Sequence, residues 1–399
     1  MDTLEQLENG ALAGAREIRL CHYGLTTFPK ALYTLCSTLE VLDLSGNALT
    51  ELPSDLYRFH KLRILFASGN PFTTLPMVLG QMPELEMVGF KACQIAHVPP
   101  ESLPPRLRWL ILTDNHIREL PDALGQRPRL QKLMLSCNQL RSLPDSLARC
   151  TRLELLRLAS NQFTEIPPCV LQRPHLAWLA MAGNPMTLPR ERAVLEAAAP
   201  AAIDYAALQL HAQLGEGASG HIWQATDTSL QRQIAVKIFK AAHTSDGTPQ
   251  SELAAGLHAG QHHSLLTPLA SVTGAPQQQL AMALPLLPSL MQPLAQPPSL
   301  RSCTRDVYAT ALRPSPAAVQ RVLAQIGSAV RHLHHQGMLH GDLYAHNILW
   351  NPATGDAVLS DFGAAMLLGD LAPEQAQALQ RMELRALDIL RDELYAIAA

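Results

Sequence analysis

The sequence lacks an excess of charge of either sign, a long apolar run and a secretory signal. Its 31 basic and 34 acidic side chains give a formal net charge of -3, which does not indicate a nucleic-acid partner or a polybasic membrane contact. No stretch approaches the roughly 18 apolar residues of a membrane-spanning helix, and the N-terminus carries acids where a signal would be apolar. We expect no nucleic-acid partner and no membrane span.

Closely spaced cysteines are also lacking. The seven cysteines are scattered without a CxxC pair or another metal-ligand spacing. An odd number of dispersed cysteines fits a reducing compartment better than a disulfide framework. We therefore expect a cytoplasmic protein.

A repeat with a period of 22 or 23 residues fills the first half of the chain. The frame L-x-x-L-x-L-x-x-N-x-L is followed by L-P-x-x-L, and a looser copy begins at Ala15. Clear copies begin at Leu39, Leu62, Leu85, Leu107, Leu130, Leu153 and Leu176. The ninth position is Asn in six copies, Cys93 in one and Tyr23 in the first. Such a period predicts stacked units that bury a shared core.

Each part of the frame has a physical reason. The L-x-L core predicts a short parallel strand with inward-pointing leucines, and the Asn side chain can satisfy backbone groups at the turn that follows. Proline recurs in register, from Pro29 to Pro167. It suits an irregular convex side because it fixes φ and needs no ladder partner.

Residues 15–189 resemble the 23-residue class of leucine-rich repeats, which implies a curved α/β solenoid with a parallel sheet on its concave face. In each repeat, the side chains that flank the second leucine of L-x-x-L-x-L should point away from the core. This set is unusually apolar for a solvated face, and we expect it to bind a protein partner through Phe66, Trp109, Ile111, Met134 and Trp178. The alternative is that the second half of the chain folds back onto this strip.

After a predicted capping helix and a short Ala/Pro connection, the repeat stops, and we place a domain boundary near Pro200. LGEGASGHIW then spaces Gly215, Gly217 and Gly220 as G-x-G-x-x-G, with Ser219 near the tip of the loop. Small residues let a hairpin close over phosphates without obstruction. Alone this spacing is weak, because an ordinary glycine-rich turn looks the same.

A lysine inside an apolar strand strengthens that interpretation. Lys237 lies in the middle of IAVKIF, and a charge in such a strand needs a partner. Glu252 is the only Glu between Lys237 and the next predicted strand, so we predict that the two side chains pair. A solvated surface Glu is the alternative.

Further along, a predicted helix leads into HGDLYAHN, and a short strand leads into DFG. Asp342, Asn347 and Asp361 occur in that order, five and fourteen residues apart. Each could be a turn residue by itself. Together with Lys237 and the three glycines, they resemble the protein-kinase family.

The resemblance implies a bilobal α+β domain over residues 201–399, after a solenoid domain over 1–200, with ATP and Mg²⁺ as cofactors. It makes Asp342 the residue that orients the substrate hydroxyl and accepts its proton, and Lys237 the α/β-phosphate contact. Asn347 and Asp361 would hold Mg²⁺. The nucleotide would be bound by Gly215, Gly217, Ser219, Gly220, Ile222, Ala235, Lys237, Glu252 and Leu349.

Three departures from the family pattern leave alternatives open. Gly341 stands where many protein kinases have Arg, and Tyr344 replaces a Lys that contacts the γ-phosphate in many serine/threonine kinases. Only 36 residues follow Gly363, which predicts a short C-terminal lobe. An active protein kinase directed at serine and threonine is the leading hypothesis; a pseudokinase scaffold and a small-molecule kinase are the rivals.

Overall fold

The computed structural model describes residues 2–217, 219–244 and 246–398. The chain divides into two compact units. The first comprises Met1–Leu156 and Asn161–Leu176, and the second comprises Arg157–Ser160 and Ala177–Ala399. The domain boundary near Pro200, which was placed from the end of the repeat, stays a prediction.

Eight short parallel strands form one sheet in chain order. They are β1 (Glu17–Arg19), β2 (Val41–Asp43), β3 (Ile64–Phe66), β4 (Met87–Gly89), β5 (Trp109–Ile111), β6 (Lys132–Met134), β7 (Leu155–Arg157) and β8 (Trp178–Ala180). Leu65 and Leu110, the central leucines of β3 and β5, are fully buried, whereas Phe66 and Trp109 are only partly buried. The strand register predicted from the repeat frame is therefore confirmed at these positions.

The return side of the repeats consists mainly of single 3-10 turns. Helix α1 (Thr3–Glu8) precedes the first strand, and helix α2 (Pro168–Leu171) takes the place of a turn in a late repeat. The turns are Lys30–Leu35, Leu56–Arg58, Met77–Gln81, Pro100–Ser102, Asp122–Gln126 and Asp145–Arg149. A recurring Pro stands at the position before most of them, where it sets the extended backbone that enters the turn.

Asparagines at the ninth position form a ladder in the core. The amide nitrogen of Asn70 donates to Leu44 O at 3.0 Å and to Ala67 O at 2.9 Å. Its side-chain oxygen accepts from the Leu49 N–H at 2.9 Å. Each amide thus satisfies backbone groups of its own repeat and of the preceding one, as the sequence predicts. At Cys93 the thiol takes this position and lies 3.6 Å from Ala67 O.

The second unit contains a six-stranded mixed sheet. Helix α3 (Leu188–Ala198) confirms the predicted helix after the repeats. The sheet strands are β9 (Ile203–Asp204), β10 (Leu208–Glu216), β11 (Gly220–Asp227), β12 (Arg232–Phe239), β13 (Ala270–Thr273) and β14 (Ala281–Pro285), in the spatial order β10-β11-β12-β14-β13-β9. Helix α4 (Pro249–Ala259) follows β12. Val236 of β12 and Ala283 of β14 are fully buried in the core of this sheet.

The remainder of the second unit is helical with short strand pairs. The elements are β15 (Gln292–Pro293), α5 (Pro316–His335), β16 (Met338–Leu339), β17 (Ile348–Trp350), β18 (Ala357–Leu359), β19 (Met366–Leu367) and α6 (Pro373–Ile397). Helix α5 confirms the helix predicted before HGDLYAHN. The segment from β16 to β19 carries both predicted acidic motifs, so these short strands position the candidate site. No helix within the described residues is long and apolar enough to cross a membrane.

Candidate active site

Lys237 and Glu252 form a buried ion pair. Strand β12 is hydrogen-bonded to β11 on one side and to β14 on the other, so Lys237 lies inside the sheet. Its Nζ contacts Glu252 Oε1 from helix α4, and both residues are buried. A charge in this position is stable only with a partner, and the contact confirms the predicted pairing.

The electrostatics of this pair include a third group. Burial lowers the pKa of Lys237, but the carboxylates of Asp361 and Glu252 more than offset it and raise that pKa overall. Burial raises the pKa of Glu252 to about 7, against the opposing effect of Lys237. Asp361 raises both pKa values because it adds negative charge near the pair. The acids outweigh the lysine here, an arrangement that favours a further cation.

Asp342 and Asn347 lie in the loop between β16 and β17. The Asn347 Nδ2 donates to Asp342 Oδ2 at 2.8 Å and to Asp342 O at 2.9 Å. His340 is fully buried, with its Nε2 3.0 Å from Ser360 O. From helix α6, Glu383 Oε1 accepts from the Gly341 N–H at 2.7 Å. These bonds fix both ends of the loop that presents Asp342.

Gly341 has a φ of +75°, which favours glycine. A Cβ at this position would lie 2.4 Å from Ala364 O and 2.4 Å from Leu179 O. Both contacts are with backbone, which cannot move aside as a flexible side chain would. The departure from Arg at this position therefore has a steric cause in this chain.

Asp361 follows strand β18 and has a φ of +63°, a strained conformation for a residue with a side chain. Its Oδ1 accepts from the Gly363 N–H at 3.0 Å, and the residue is exposed. Phe362 is buried next to the His340 ring, with centroids 5.4 Å apart. The buried Phe362 and the hydrogen bond to the Gly363 N–H fix Asp361 in the lining of a cavity.

A cavity of about 180 Å³ is bounded by Lys237, Glu252 and Asp361, among other residues. Its walls are mainly apolar, with Lys237, Glu252 and Asp361 at one side. The lining residues are Ile222, Lys237, Glu252, Leu266, Pro268, Met282, Leu284, Leu349, Ser360, Asp361 and Phe362. Predicted residue Ala235 packs in the same cluster as Met282 and Leu284. Of the predicted site residues, five line this cleft: Ile222, Lys237, Glu252, Leu349 and Asp361. Asp342 and Asn347 are not part of its lining.

The three glycines lie in the β10–β11 hairpin, outside the cavity lining. Added Cβ atoms at Gly215 and Gly217 would meet nothing within 4 Å, so the surface of the hairpin stays bare at both positions. A Cβ at Gly220 would lie 2.6 Å from Ile238 O, so close strand packing requires that glycine. Ser219 O accepts from the Lys240 N–H at 3.0 Å. Ala218, the neighbour of Ser219 in the loop, lies outside the described residues.

Arg157 is a site residue that the sequence did not reveal. It belongs to the second unit and is 3% exposed. Its guanidinium contacts the Asp342 carboxylate and donates to Gly341 O at 3.1 Å. Burial raises the pKa of Asp342, but Arg157 and the neighbouring His346 and His340 outweigh it, and the pKa is lowered overall. The repeat frame assigns Arg157 to a strand and gives no signal of this contact.

Trp178 requires a correction. It was expected among the partner-binding side chains, but in the second unit it is buried, and its Nε1 donates to Leu343 O at 3.0 Å. Its ring stacks on Tyr344, with centroids 4.2 Å apart. Both the ring face and the nitrogen of the indole are thus in contact with other residues of the second unit. Trp178 is therefore unavailable to a separate protein.

Comparison with protein-family models gives matches over both halves of the chain. The protein kinase domain matches residues 208–382. This chain combines leucine-rich repeats with a protein kinase domain. The repeats match over residues 38–59, 105–163 and 128–186.

Several curated proteins are similar to part of this chain. The human PH domain leucine-rich repeat-containing protein phosphatase 1 is 32% identical over 108 residues, which are 26% of this chain and 6% of that protein. Toll-like receptor 9 of Equus caballus is 32% identical over 117 residues, 27% of this chain and 11% of that protein. The chain thus spans only a small part of the curated relatives it matches.

Two solved structures are also similar. A leucine-rich-repeat protein of Leptospira interrogans has a TM-score of 0.32 and 22% identity, over 47% of this chain and 64% of that one. An internalin of Listeria monocytogenes has a TM-score of 0.39 and 22% identity, over 48% of this chain and 54% of that one.

Proposed function

We propose that this chain is a MgATP-dependent protein kinase that phosphorylates serine and threonine side chains and uses its repeats to select a protein partner. The carrying observation is that Lys237, Glu252 and Asp361 line one cleft, with Lys237 and Glu252 already paired. Phosphoryl transfer depends on positioning and charge neutralisation more than on covalent chemistry. This cleft offers both.

The donor atoms suit magnesium. Asp361 contributes a carboxylate in the lining of the cavity, and Asn347 contributes an amide oxygen, since its nitrogen is used by Asp342. Beside a nucleotide, Mg²⁺ is bound by a small number of oxygen ligands from the protein. The described part of the chain contains no cluster of three or more His, Cys, Asp or Glu side chains that could hold a metal ion. The proposed Mg²⁺ ligands, Asp361 and Asn347, are not such a cluster. Mg²⁺ would supply charge neutralisation for the transferring phosphoryl group.

The remaining residues have separate proposed roles. Lys237 contacts the α- and β-phosphates, and Glu252 holds its amine in place. Ile222, Ala235 and Leu349 form apolar walls for the adenine. Gly215, Gly217, Ser219 and Gly220 let the β10–β11 hairpin approach the phosphates closely. Asp342 orients the substrate hydroxyl and accepts its proton.

A pseudokinase scaffold is the second candidate. The observation that favours it is the contact of Arg157 with Asp342, which occupies one oxygen of the proposed proton acceptor. A small-molecule kinase is a third candidate, supported only by the resemblance of HGDLYAHN to such enzymes.

The test is phosphoryl transfer from labelled MgATP to a generic protein substrate and, separately, to small alcohols. We expect transfer to protein serine and threonine. Asp361→Ala should abolish transfer and weaken Mg²⁺-dependent nucleotide binding, because a metal carboxylate is lost. Asp342→Asn should spare nucleotide binding and lower the rate. Asp392→Asn, at an exposed acid of helix α6, is the control.

Three results would contradict the proposal. Unchanged transfer in Asp361→Ala would remove the metal assignment. Transfer to small alcohols alone would favour the third candidate. Wild-type protein that binds MgATP but transfers nothing would favour the scaffold.

We further propose that the protein acts in the cytoplasm and that Phe66, Trp109, Ile111 and Met134 contribute to partner binding. The location is supported by the lack of disulfide bonds among the described residues. The partner surface is supported by β3 and β5, where Phe66, Trp109 and Ile111 remain partly exposed. Met134 is more deeply buried, and its sulfur accepts from Trp109 Nε1 at 3.4 Å.

A further inference from the structure

The catalytic loop carries no lysine or arginine of its own. Residues 340–347 read HGDLYAHN, with Gly341 and Tyr344 at positions where many protein kinases have a basic residue. Asp342 nevertheless contacts the guanidinium of Arg157, which lies 185 positions away in sequence. The second unit therefore contains a cation at Asp342 that the loop lacks.

The guanidinium of Arg157 contacts oxygen atoms of three residues. It forms an ion pair with Asp342 and donates to Gly341 O at 3.1 Å. Its Nε lies 2.7 Å from Asp246 Oδ1, in the segment between β12 and α4. Arginine suits such a site because its planar fork meets several oxygens in one fixed orientation, which a lysine cannot do.

The surroundings of Arg157 are closely packed. Ala159, Ala180 and Ala364 form a buried cluster, and the Leu179 N–H donates to Gly341 O at 3.1 Å. Residues 157–160 and 177–182 belong to the same compact unit as the catalytic loop. Removing Arg157 would leave the partly buried Asp342 carboxylate without its cation. The contact thus has the features of a permanent part of the site.

The two oxygens of the Asp342 carboxylate have different partners. Arg157 contacts Oδ1, while Asn347 Nδ2 donates to Oδ2 at 2.8 Å. Two contacts on opposite oxygens set the rotation of the carboxylate about its Cβ–Cγ bond. A carboxylate oxygen can accept more than one hydrogen bond, so a hydroxyl can still approach.

We propose that Arg157 is a positioning residue for phosphoryl transfer, which holds the Asp342 carboxylate in the orientation that receives the substrate hydroxyl. The inference rests on the proposed kinase function. Through Asp246, Arg157 also joins the segment that leads into helix α4 to the catalytic loop. Arg157 thereby replaces a basic residue within the loop by one from a distant strand.

The test compares Arg157→Gln and Arg157→Lys with wild type and with Arg190→Gln. Arg190, on helix α3 of the same unit, lies 3.8 Å from Asp370 and is 37% exposed, so its loss is a matched control. The rate constant kcat and the KM for ATP are measured with labelled MgATP. Thermal unfolding reports whether each variant is folded.

We expect Arg157→Gln to lower kcat about 10²-fold, because a displaced catalytic group costs rates of this order. The KM for ATP should change less than about threefold, since the hydrogen bonds and ion pairs of Arg157 go to Gly341, Asp342 and Asp246, which do not line the cavity. Arg157→Lys keeps the charge and should recover part of the loss. Arg190→Gln should behave as wild type. If Arg157→Gln does not fold, Arg157→Lys and rescue of Arg157→Ala by added methylguanidinium test the same point.

Other outcomes overturn the inference. Increased transfer in Arg157→Gln would make Arg157 an inhibitory plug, and an unchanged kcat in an active enzyme would make it structural only. A rise in KM with kcat unchanged would assign it to nucleotide binding. Lack of transfer in wild type and in every variant would overturn the proposed function and this inference with it. An unchanged kcat of Arg157→Gln in an active enzyme would overturn this inference alone, so the two failures are distinguishable.

Discussion

The first unit repeats one buried amide from copy to copy of its frame, whereas the second unit contains buried ion pairs that each occur once. Asn115 and Asn138 each bond to backbone groups of their own repeat and of the preceding one, 2 to 26 residues away. Lys237 meets Glu252 at a separation of 15 residues, and Arg157 meets Asp342 at 185. In an amide ladder, many equivalent asparagines share the task of satisfying buried backbone groups. The groups of a charged site do not share a task in this way, because each group has a different partner.

The largest expected effect on stability comes from breaking one step of the ladder. The amide of Asn138 donates to Leu112 O at 2.9 Å and to Leu135 O at 3.0 Å, and its oxygen accepts from the Ile117 N–H at 3.0 Å. Asn138→Ala would leave the buried Ile117 N–H without its acceptor. It would also remove one of the two amide bonds to Leu112 O and to Leu135 O, which Asn115 and Asn161 also contact. We expect a loss of about 2–4 kcal/mol in unfolding free energy, measured by urea denaturation.

The matched control is Glu119→Ala, an exposed residue one repeat earlier, which should change stability by less than about 0.5 kcal/mol. Asn138→Cys should cost less than Asn138→Ala, because Cys93 occupies the equivalent position naturally. Equal stability of Asn138→Ala and wild type would mean that the ladder does not carry the core.

A second prediction concerns the partner surface of the first unit. The Phe66 ring covers Gly89, where an added Cβ would lie 2.5 Å from it, and Lys132 Nζ lies 4.2 Å from the Trp109 ring centroid. Because both rings are partly exposed, the double change Phe66→Ala with Trp109→Ala should leave the protein folded. It should weaken partner binding by about 1–3 kcal/mol for each ring that is an interface hot spot.

Binding is measured by quantitative capture of partner proteins, with Tyr57→Ala and Met77→Ala as the control pair. These two apolar side chains are more exposed than the test pair and lie away from the strands. If the test pair unfolds, the rings belong to the core. If it captures the same proteins as wild type, the strip is not the recognition surface.

The smallest expected effect is a pH dependence in the second unit. Burial raises the pKa of Glu393 to about 7, although the Tyr308 hydroxyl donates to it at 2.9 Å. Because the folded-state pKa is raised, the folded protein keeps a proton that the unfolded chain releases between about pH 4.5 and 7. Stability should therefore fall across this window and stay lower above it.

Glu393→Gln keeps an acceptor for Tyr308 and removes the titration. We expect it to be about 1–2 kcal/mol more stable than wild type at pH 8 and to show little difference at pH 5. Thermal unfolding at the two values gives the comparison, with the exposed Glu374→Gln of the same helix as control. A parallel pH dependence in wild type and Glu393→Gln would assign the effect to another group.

The repeats were largely predictable because their information is local. A period of 22 or 23 residues specifies the strand, the inward leucine and the Asn bond within one or two copies. The pairing of Lys237 with Glu252 was predictable for a related reason, since Glu252 was the only Glu between Lys237 and the next predicted strand. Both inferences needed only short stretches of sequence.

Arg157 and Trp178 could not be placed in this way. At the level of the frame they occupy the same kind of position as Phe66 and Trp109, yet they belong to the other compact unit. Their burial depends on contacts with Asp342, Leu343 and Tyr344, which no periodic pattern encodes. Gly341 likewise reads as a departure from a family pattern until the two carbonyl oxygens around it are known.

The geometry at Gly341 also restricts how this lineage can change. A single codon change to arginine would place a side chain into two main-chain carbonyls 2.4 Å away, so such a variant should be eliminated before any benefit could be selected. A point mutation at this position therefore cannot create an arginine on which a phosphorylated activation segment would dock. Descendants of this chain that acquire regulation would have to evolve it at another position.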